Sequence, residues 1–501
     1  MGAIAALLTR RTRIFFFVQY PICLLGVAFV AYTVAFGIPA GSILAGIVAE
    51  ASIEELRGFI ATPQGRSLAY LLAGWTICYL TSAALAPSGP VFSRAGLLTR
   101  RIALLFLALA TAYACTDPAQ LVEGVALNPI VGGLKFLFVD IPKYKADLRL
   151  SAIHKIPYHA HRVGGEEIHI LIIGESARRR SWSVYGYSRQ TTPYLESLRD
   201  EAVFFQNATA DANFTLRSVP LMLTGMSPEG FDIGKVRGNI FDLAREAGYA
   251  SILLSNQDFS AAEAAGVDPD LIESPIDLYP GKIRRTVDGE LLSAFRREME
   301  KKGNARFIGI HMMGSHALYS NRYPENFSRF GSPDRLHLLS TSSVFFSTRE
   351  ADPVLLDAYD DSVVYTDWFL GQIIEPLREL PVPASVTFFA DHGEALQFLD
   401  GESGHGQPVY LPAAFEVPAF VWANAAYRKL HPDVISALRQ NAAKEIRSHN
   451  VFYTVAELMG IDWRENIAAE SFASRRFIPD TKMKHIAGAA FVSRPADLKG
   501  H

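Results

Sequence analysis

Hydrophobic and polar positions fall into two regimes along this chain. From Ile14 to Ile38 the run "IFFFVQYPICLLGVAFVAYTVAFGI" holds no charged residue, and a run of that length crosses about 30 Å of hydrocarbon as a helix. "SLAYLLAGWTICYLTSAALA" (Ser67 to Ala86) predicts a second span, and "IALLFLALATAYAC" (Ile102 to Cys115), extended by its flanks, a shorter third. A signal peptide is the rival reading of the first run, but the run is too long and no small-residue cleavage site follows it. The pattern predicts a transmembrane domain over residues 1–120, with helices at about 14–38, 67–86 and 100–117.

From about residue 160 the pattern changes to short apolar runs separated by amphipathic ones. Strands are expected at Ile168–Gly174, Tyr249–Ser255, Arg306–Met312, Ser385–Ala390 and Pro418–Ala423. Helices are expected at Thr192–Ala202, Ile240–Gly248, Gly289–Lys302 and Leu355–Leu380. Continuous apolar strands alternating with helices predict a parallel sheet covered on both faces. The expected plan is a membrane domain, a linker and membrane-surface segment over 121–160, an α/β domain over 161–490 and a tail over 491–501.

In such sheets ligands bind beyond the carboxyl ends of the strands. "HILIIG" runs out at Glu175 and Ser176, "RFIGIHM" near His311, Gly314, Ser315 and His316, and "SVTFFA" at Asp391 and His392, with Glu394 and His405 close behind in "ADHGEALQFLDGESGHG". Carboxylates and imidazoles gathered at one edge form the ligand set preferred by Zn²⁺. Gly393 and Gly404 would let the backbone pass close by.

Charge narrows the partners. Across 501 residues the net charge is -3, whereas a protein that coats nucleic acid needs an excess of clustered Lys and Arg to contact phosphates, so no nucleic-acid partner is expected. Arg10, Arg11 and Arg13 precede the first span, and Arg94, Arg100 and Arg101 separate the second from the third. Basic residues stay on the cytoplasmic side, so three crossings deliver everything after about residue 120 to the far side, in a bacterium the periplasm. "EASIEELRGFIAT" (Glu50 to Thr62) has helix-like charge spacing suited to the outer surface. All three cysteines, Cys23, Cys78 and Cys115, lie in the apolar part, so the remainder holds no internal disulfide.

Four blocks in order, "IIGESARRRSWSVYGYSRQTTPYL", "HMMGSHALYSNRYP", "DDSVVYTDWFLGQII" and "ADHGE" followed by "GHG", resemble the lipid A type phosphoethanolamine transferases of the alkaline phosphatase and sulfatase superfamily. "YTVAFGIPAGSILAGIVAEASIEEL" is similar to the region where a membrane helix of those enzymes meets the periplasmic surface. The resemblance implies an N-terminal α-helical transmembrane domain followed by an α/β alkaline phosphatase/sulfatase-like domain, its mainly parallel central sheet sandwiched by helices. It also implies that Glu175, Asp391 and His392 bind zinc. "NFTLRSVPLML" resembles the nucleophile segment and places the nucleophile at Thr215, which would share the metal. His316 and His405 match histidines that line the phosphate position and bind a second zinc in relatives, so they are expected to bind substrate and act in catalysis. Ser176 is the rival nucleophile, but the resemblance puts a hydroxyl there without that role. Glu394 reads equally as a partner of the site or as a loop charge, and His311 as a core histidine. Arg178 to Arg180 would stand near the mouth, either drawing an anionic head group or as a solvated turn. Tyr185, Gly186, Tyr187 and Arg189 fit the pattern and would position a loop.

The chemistry implied is zinc-dependent transfer of phosphoethanolamine from phosphatidylethanolamine to lipid A, lipopolysaccharide core or another periplasmic glycan, through a covalent threonine intermediate. The protein would work as a monomer among inner-membrane lipids, and its product would lower the effect of cationic peptides such as polymyxin. Two features depart from the relatives. Many have five membrane helices, against three expected here. Their periplasmic domains carry disulfides, some bracketing the nucleophile, where this chain has Asp211 and Leu221 at roughly those places, and "LHLLSTSSVFFSTREADP" (Leu336 to Pro353) lacks the cysteines expected before the long helix. A phosphoglycerol transferase or phosphodiesterase of the same superfamily is the nearest alternative, and a catalytically silent lipid-binding membrane protein the alternative from another class. A sulfatase activity fits less well, because no C/S-x-P-x-R setting surrounds Thr215.

Overall fold

The computed structural model describes residues 63–85, isolated positions on either side of them (20, 21, 23, 24, 27, 28, 138, 139, 142, 143 and 146), and residues 155–494 apart from 258–259, 275–286, 317–318, 332–350, 402–403, 407–408, 465, 483 and 488–489. The chain divides into two compact units, Met1–Lys145 and Ala146–His501. In the first, helix α1 (Pro63–Leu85) coincides with the expected second span. Its window Leu68–Leu85 is long and apolar enough to cross a membrane, with only 6% buried within the protein. Apolar side chains such as Tyr70, Leu71, Ile77 and Leu85 face outward, as a lipid-facing helix requires. Most of the first expected span, the third, the arginines that orient them, the segment 50–62 and most of 336–353 lie outside the described residues.

The second unit is built on a seven-stranded sheet. Its strands are β1 (Ile168–Gly174), β2 (Ala202–Phe204), β3 (Ala250–Ser255), β4 (Leu271–Glu273), β5 (Arg306–His311), β6 (Ala384–Ala390) and β7 (Ala419–Ala423), in spatial order β2-β7-β6-β1-β5-β3-β4. Every residue of β1, β5, β6 and β7 is buried, so both faces are covered, which is why these strands read as unbroken apolar runs. Neighbours from β6 through β1, β5 and β3 to β4 run parallel. The β2-β7 and β7-β6 pairs are antiparallel, so the sheet is mixed although mainly parallel. Burial on both faces hides strand direction: "PAFVWA" looks the same in either sense.

The covering helices fall into two groups. α2 (Thr215–Thr224), α3 (Ile240–Glu246) and α6 (Asn450–Leu458) pack together, as do α4 (Leu292–Glu300) and the long α5 (Ala351–Arg378). Asn239 caps α3, its side-chain oxygen accepting from Phe241 and Asp242 N–H. The expected helix over 192–202 is confined to Pro193–Ser197, because the chain must extend again to pair β2 with β7.

Candidate active site

Strand register brings the chemistry together. Gly174 lies opposite Ala390, Ile173 opposite His311, and His311 opposite Ser255, so β1, β6, β5 and β3 end at one level. The next residues out are Glu175, Asp391, Met312 and Asn256. Glu175, Asp391 and His392 are each 1% exposed or less. Ser176 takes a left-handed φ of 51°, uncommon for a side chain with a Cβ, and turns the chain so that its N–H meets Asp391 Oδ1 at 3.2 Å. Asp391 Oδ1 also accepts from His392 N–H at 2.6 Å, while Asp391 Oδ2 is buried without a hydrogen-bond partner. His392 Nδ1 meets the Gly393 carbonyl at 2.9 Å, which leaves Nε2 as an acceptor 3.5 Å from Glu175 Oε1 and 3.4 Å from Asp391 Oδ2.

Donor atoms of Glu175, Asp391 and His392 all lie within 4.8 Å of one another. Burial, reinforced by the adjacent Asp391 carboxylate, pushes the Glu175 carboxyl up to about 8, and burial raises Asp391 to about 6. Burial and the His405 ring hold His392 at about 4, a neutral imidazole with a lone pair to give. Two crowded carboxylates, one oxygen lacking a partner and a neutral imidazole fit a divalent cation of the zinc class.

Thr215 is the first residue of α2, after Phe214 in an extended conformation with no side-chain cap. Its Oγ1 donates to Glu175 Oε2 at 3.1 Å and lies 3.2 Å from His392 Nε2. The hydroxyl therefore faces the Glu175, Asp391 and His392 group at the positive end of a helix dipole. Ser176 Oγ instead donates to Glu175 Oε1 at 2.6 Å and is fully buried.

His405 packs beside His392 with ring centroids 4.2 Å apart and the planes tilted by 39°, and the His316 ring centroid lies 6.4 Å from that of His405. Glu394 is buried and bridges two groups: Oε2 meets His405 Nδ1 at 2.6 Å, and Oε1 accepts from Tyr319 Oη at 2.6 Å. Burial opposes a charge on His405, but the Glu394 carboxylate overrides it and carries the imidazole up to about 9. His392, Glu394 and His405 thus form a second group with metal-ligand spacing next to the first.

Other expectations resolve against the geometry. His311 is buried, its titration pushed down to about 4 by burial, and it stays in the core. Arg178 to Arg180 are paired with carboxylates: Arg178 is buried and meets Asp400 at 2.9 Å, while Arg179 and Arg180 converge on Glu416 at 3.3 and 2.9 Å. A solvated turn is therefore the wrong picture for Arg178. Tyr187 and Arg189 bind Asp360, each at 2.9 Å, and so tie their loop to α5.

Several contributors left no mark in the sequence. Gln257, just past β3, donates through Nε2 to Glu175 Oε2 and to the Met312 carbonyl, each at 3.0 Å. Asp288 accepts from the N–H groups of Met313 and Gly314 at 2.7 and 3.0 Å and shapes the turn before His316. Gly314 has a φ of 47°, and a Cβ there would lie 2.7 Å from the Glu175 carbonyl, so only glycine fits. α5 braces the loops: Tyr359 Oη donates to the Ser176 carbonyl at 2.7 Å, and Ser362 Oγ donates to Ser315 Oγ at 2.8 Å.

The mixed sheet with its carboxylate and imidazole cluster defines a class, and residues 168–461 match the sulfatase family, more than half of the chain. The chain belongs to that family. Among proteins of Escherichia coli (strain K12) it is 28% identical over 358 residues to YhbX, covering 64% of this chain and 62% of that protein, and 28% identical over 313 residues to phosphoethanolamine transferase EptA, covering 60% and 54%. The chain thus spans between half and two thirds of the length of these relatives. Among solved structures, the integral membrane lipooligosaccharide phosphoethanolamine transferase A from Neisseria meningitidis matches with a TM-score of 0.66 at 22% identity, covering 92% of this chain and 90% of that one. The C-terminal periplasmic domain of EptC from Escherichia coli, solved in complex with zinc, matches with a TM-score of 0.59 at 19% identity, covering 68% and 96%.

Proposed function

We propose that this protein transfers phosphoethanolamine from phosphatidylethanolamine to an envelope glycolipid or glycan, with lipid A or lipopolysaccharide core as the favoured acceptor. The observation that carries the reading is the Thr215 hydroxyl, 3.1 Å from Glu175 Oε2 and 3.2 Å from His392 Nε2 at the start of α2. A donor lipid fits a chain with an apolar helix able to cross a membrane, and relatives with the same fold carry the transferase name. The reading places the protein in a bacterial inner membrane as a multi-pass monomer, with residues 1–120 in the bilayer and 161–490 in the periplasm.

Glu175, Asp391 and His392, with Thr215 Oγ1 beside them, would hold one zinc tightly, and His405 with Glu394 and His316 would form the place for a second. Bound zinc makes an alkoxide accessible near neutral pH and offsets charge on phosphoryl oxygens. Thr215 Oγ1 releases its proton to solvent and attacks phosphorus, and the bond from phosphorus to the diacylglycerol oxygen breaks. The start of α2 favours the anionic phosphoryl group. His405, oriented through Nδ1 by Glu394, and His316 orient the phosphoryl oxygens and supply the proton that diacylglycerol takes. An acceptor hydroxyl or phosphate oxygen then attacks the same phosphorus, His405 regains its proton from the acceptor or from solvent, and Thr215 Oγ1 leaves and takes a proton from solvent, restoring the hydroxyl.

The test is peptide mass spectrometry of the Thr215 segment after incubating zinc-loaded protein with phosphatidylethanolamine vesicles and no acceptor. A phosphoethanolamine adduct on Thr215, absent from Thr215→Ala, is the expected result. An unmodified Thr215 with zinc bound, and phosphatidylglycerol consumed instead, would overturn the donor and favour a phosphoglycerol transferase.

A further inference from the structure

The segment that delivers Thr215 to the site is anchored from behind by buried charge. Asp211 is fully buried, and Arg447 and His449 are almost so. Asp211 Oδ1 accepts from Arg447 Nε at 2.7 Å, and Oδ2 accepts from His449 N–H and Nδ1 at 2.7 and 2.8 Å. Both oxygens of one carboxylate are thereby engaged by Arg447, the last residue of the short strand Glu445–Arg447, and by His449 just before α6. From the other side the C-terminal segment joins in: Ile486 N–H donates to the Asp211 carbonyl at 2.7 Å, and Asn213 N–H donates to the Ile486 carbonyl at 3.1 Å.

Ser448, between the two cations in sequence, links this cluster to the chemistry. Its Oγ accepts from Asp211 N–H at 3.1 Å and lies 3.4 Å from Ser218 Oγ. Ser218 sits one turn past Thr215 on α2, and its hydroxyl donates to the carbonyl of Asp391. A continuous path therefore runs from the ion cluster through Ser448 and Ser218 to the backbone of a metal-binding carboxylate. No cysteine beyond Cys115 exists to do this covalently.

We propose that Asp211, Arg447, His449 and Ser448 are positioning residues, a buried electrostatic clasp that sets the distance of Thr215 Oγ1 from Glu175 and His392. The proposal rests on the reading of Thr215 as nucleophile. Removing one partner of a buried cluster leaves the others uncompensated, whereas the intact cluster is directional and fixes one register. Reacting groups misplaced by about 1 Å lose on the order of a hundredfold in rate, so a clasp of this kind acts on kcat.

The experiment uses the full chain in detergent, with Asp211→Asn, which keeps the shape, and Ser448→Ala, which leaves the ion cluster intact and removes only the relay. Hydrogen exchange is followed over 212–220 and, as internal reference, over β1 and β6. Turnover of a soluble phosphodiester and zinc content are measured alongside. Both variants should exchange about tenfold faster over 212–220 with the reference strands unchanged, and should lose about tenfold in kcat at unchanged KM and zinc content. Exchange rising equally in all segments, or remaining at the wild-type rate over 212–220, overturns the clasp, and Ser448→Ala decides the matter if Asp211→Asn does not fold. Failure of the wild type to turn over any phosphodiester would remove the catalytic reading, while the exchange pattern still decides the clasp.

Discussion

Replacing Gly393 by alanine puts the geometry of the loop that carries Asp391 and His392, the proposed zinc ligands, under a direct test. A Cβ built at this position lies 2.1 Å from the carbonyl oxygen of Ala413, and real Cβ contacts stay at or beyond 3.0 Å, so the two segments must separate by about 0.9 Å. The obstacle is backbone, and the Gly393 N–H is bonded to the Ala414 carbonyl at 2.9 Å, so neither side yields freely. The loop that moves carries Asp391 and His392, and the Gly393 carbonyl accepts from His392 Nδ1 at 2.9 Å and so aims Nε2. Metal donors tolerate about 0.2 Å of displacement. The expected outcome is a stability loss of about 1–3 kcal/mol from overpacking and zinc affinity lower by about 10–100-fold through the displaced ligands. Zinc competition against a chelator, with thermal unfolding beside it, measures both. Gly165→Ala is the control, since nothing lies within 4 Å of a Cβ there. Wild-type zinc affinity and unfolding temperature in Gly393→Ala would refute the reasoning.

Gln257→Ala removes the donor to Glu175 Oε2 and should weaken zinc binding by about 10–100-fold with the fold retained; unchanged competition curves would show that the Glu175 carboxylate orients itself. Stability should also depend on His449. Burial disfavours its charge, yet Asp211 raises the imidazole to about 9, with Arg447 opposing and Glu470 3.5 Å from Nε2. A raised pKa means the contribution is complete below the ordinary value of about 6.5 and is lost as pH rises through about 9, an effect on the order of 3 kcal/mol. The unfolding temperature should therefore fall from about pH 7 to about pH 9.5, a range that covers the interval between the ordinary and the raised value, more steeply in the wild type than in His449→Gln, and parallel curves would contradict the assignment. Asp211 is held well below the usual carboxylate range, despite burial, by His449 and Arg447, so its own contribution fades only on acidification.

The central strands and their ends were legible in the sequence because the information is local. Unbroken apolar runs of strand length end in Glu175, in Asp391 and His392, and near His316, and any parallel arrangement of those strands brings the groups to one edge. Thr215 was reached through the resemblance alone: nothing in the spacing of "NFTLRSVPLML" marks it. The antiparallel sense of β7 was invisible, since a strand buried on both faces carries no sign of direction. Gln257, Asp288 and Tyr359 read as ordinary polar or helical residues until the fold set them against Glu175, Gly314 and Ser176.

By itself, then, the amino-acid order determined which stretches are apolar enough to span a membrane or build a buried sheet, and which side chains stand where those stretches stop, because periodicity and strand termination act within a few residues. Tertiary structure alone decided which neighbours satisfy the buried charges. Asp211 meets Arg447 and His449 more than two hundred positions away, Glu394 is shared between Tyr319 and His405, and Arg178 is buried against Asp400 while Arg179 and Arg180 converge on Glu416. A buried charge must find a partner wherever the packed chain offers one, and that choice is made by the packing of distant segments, which no local pattern encodes.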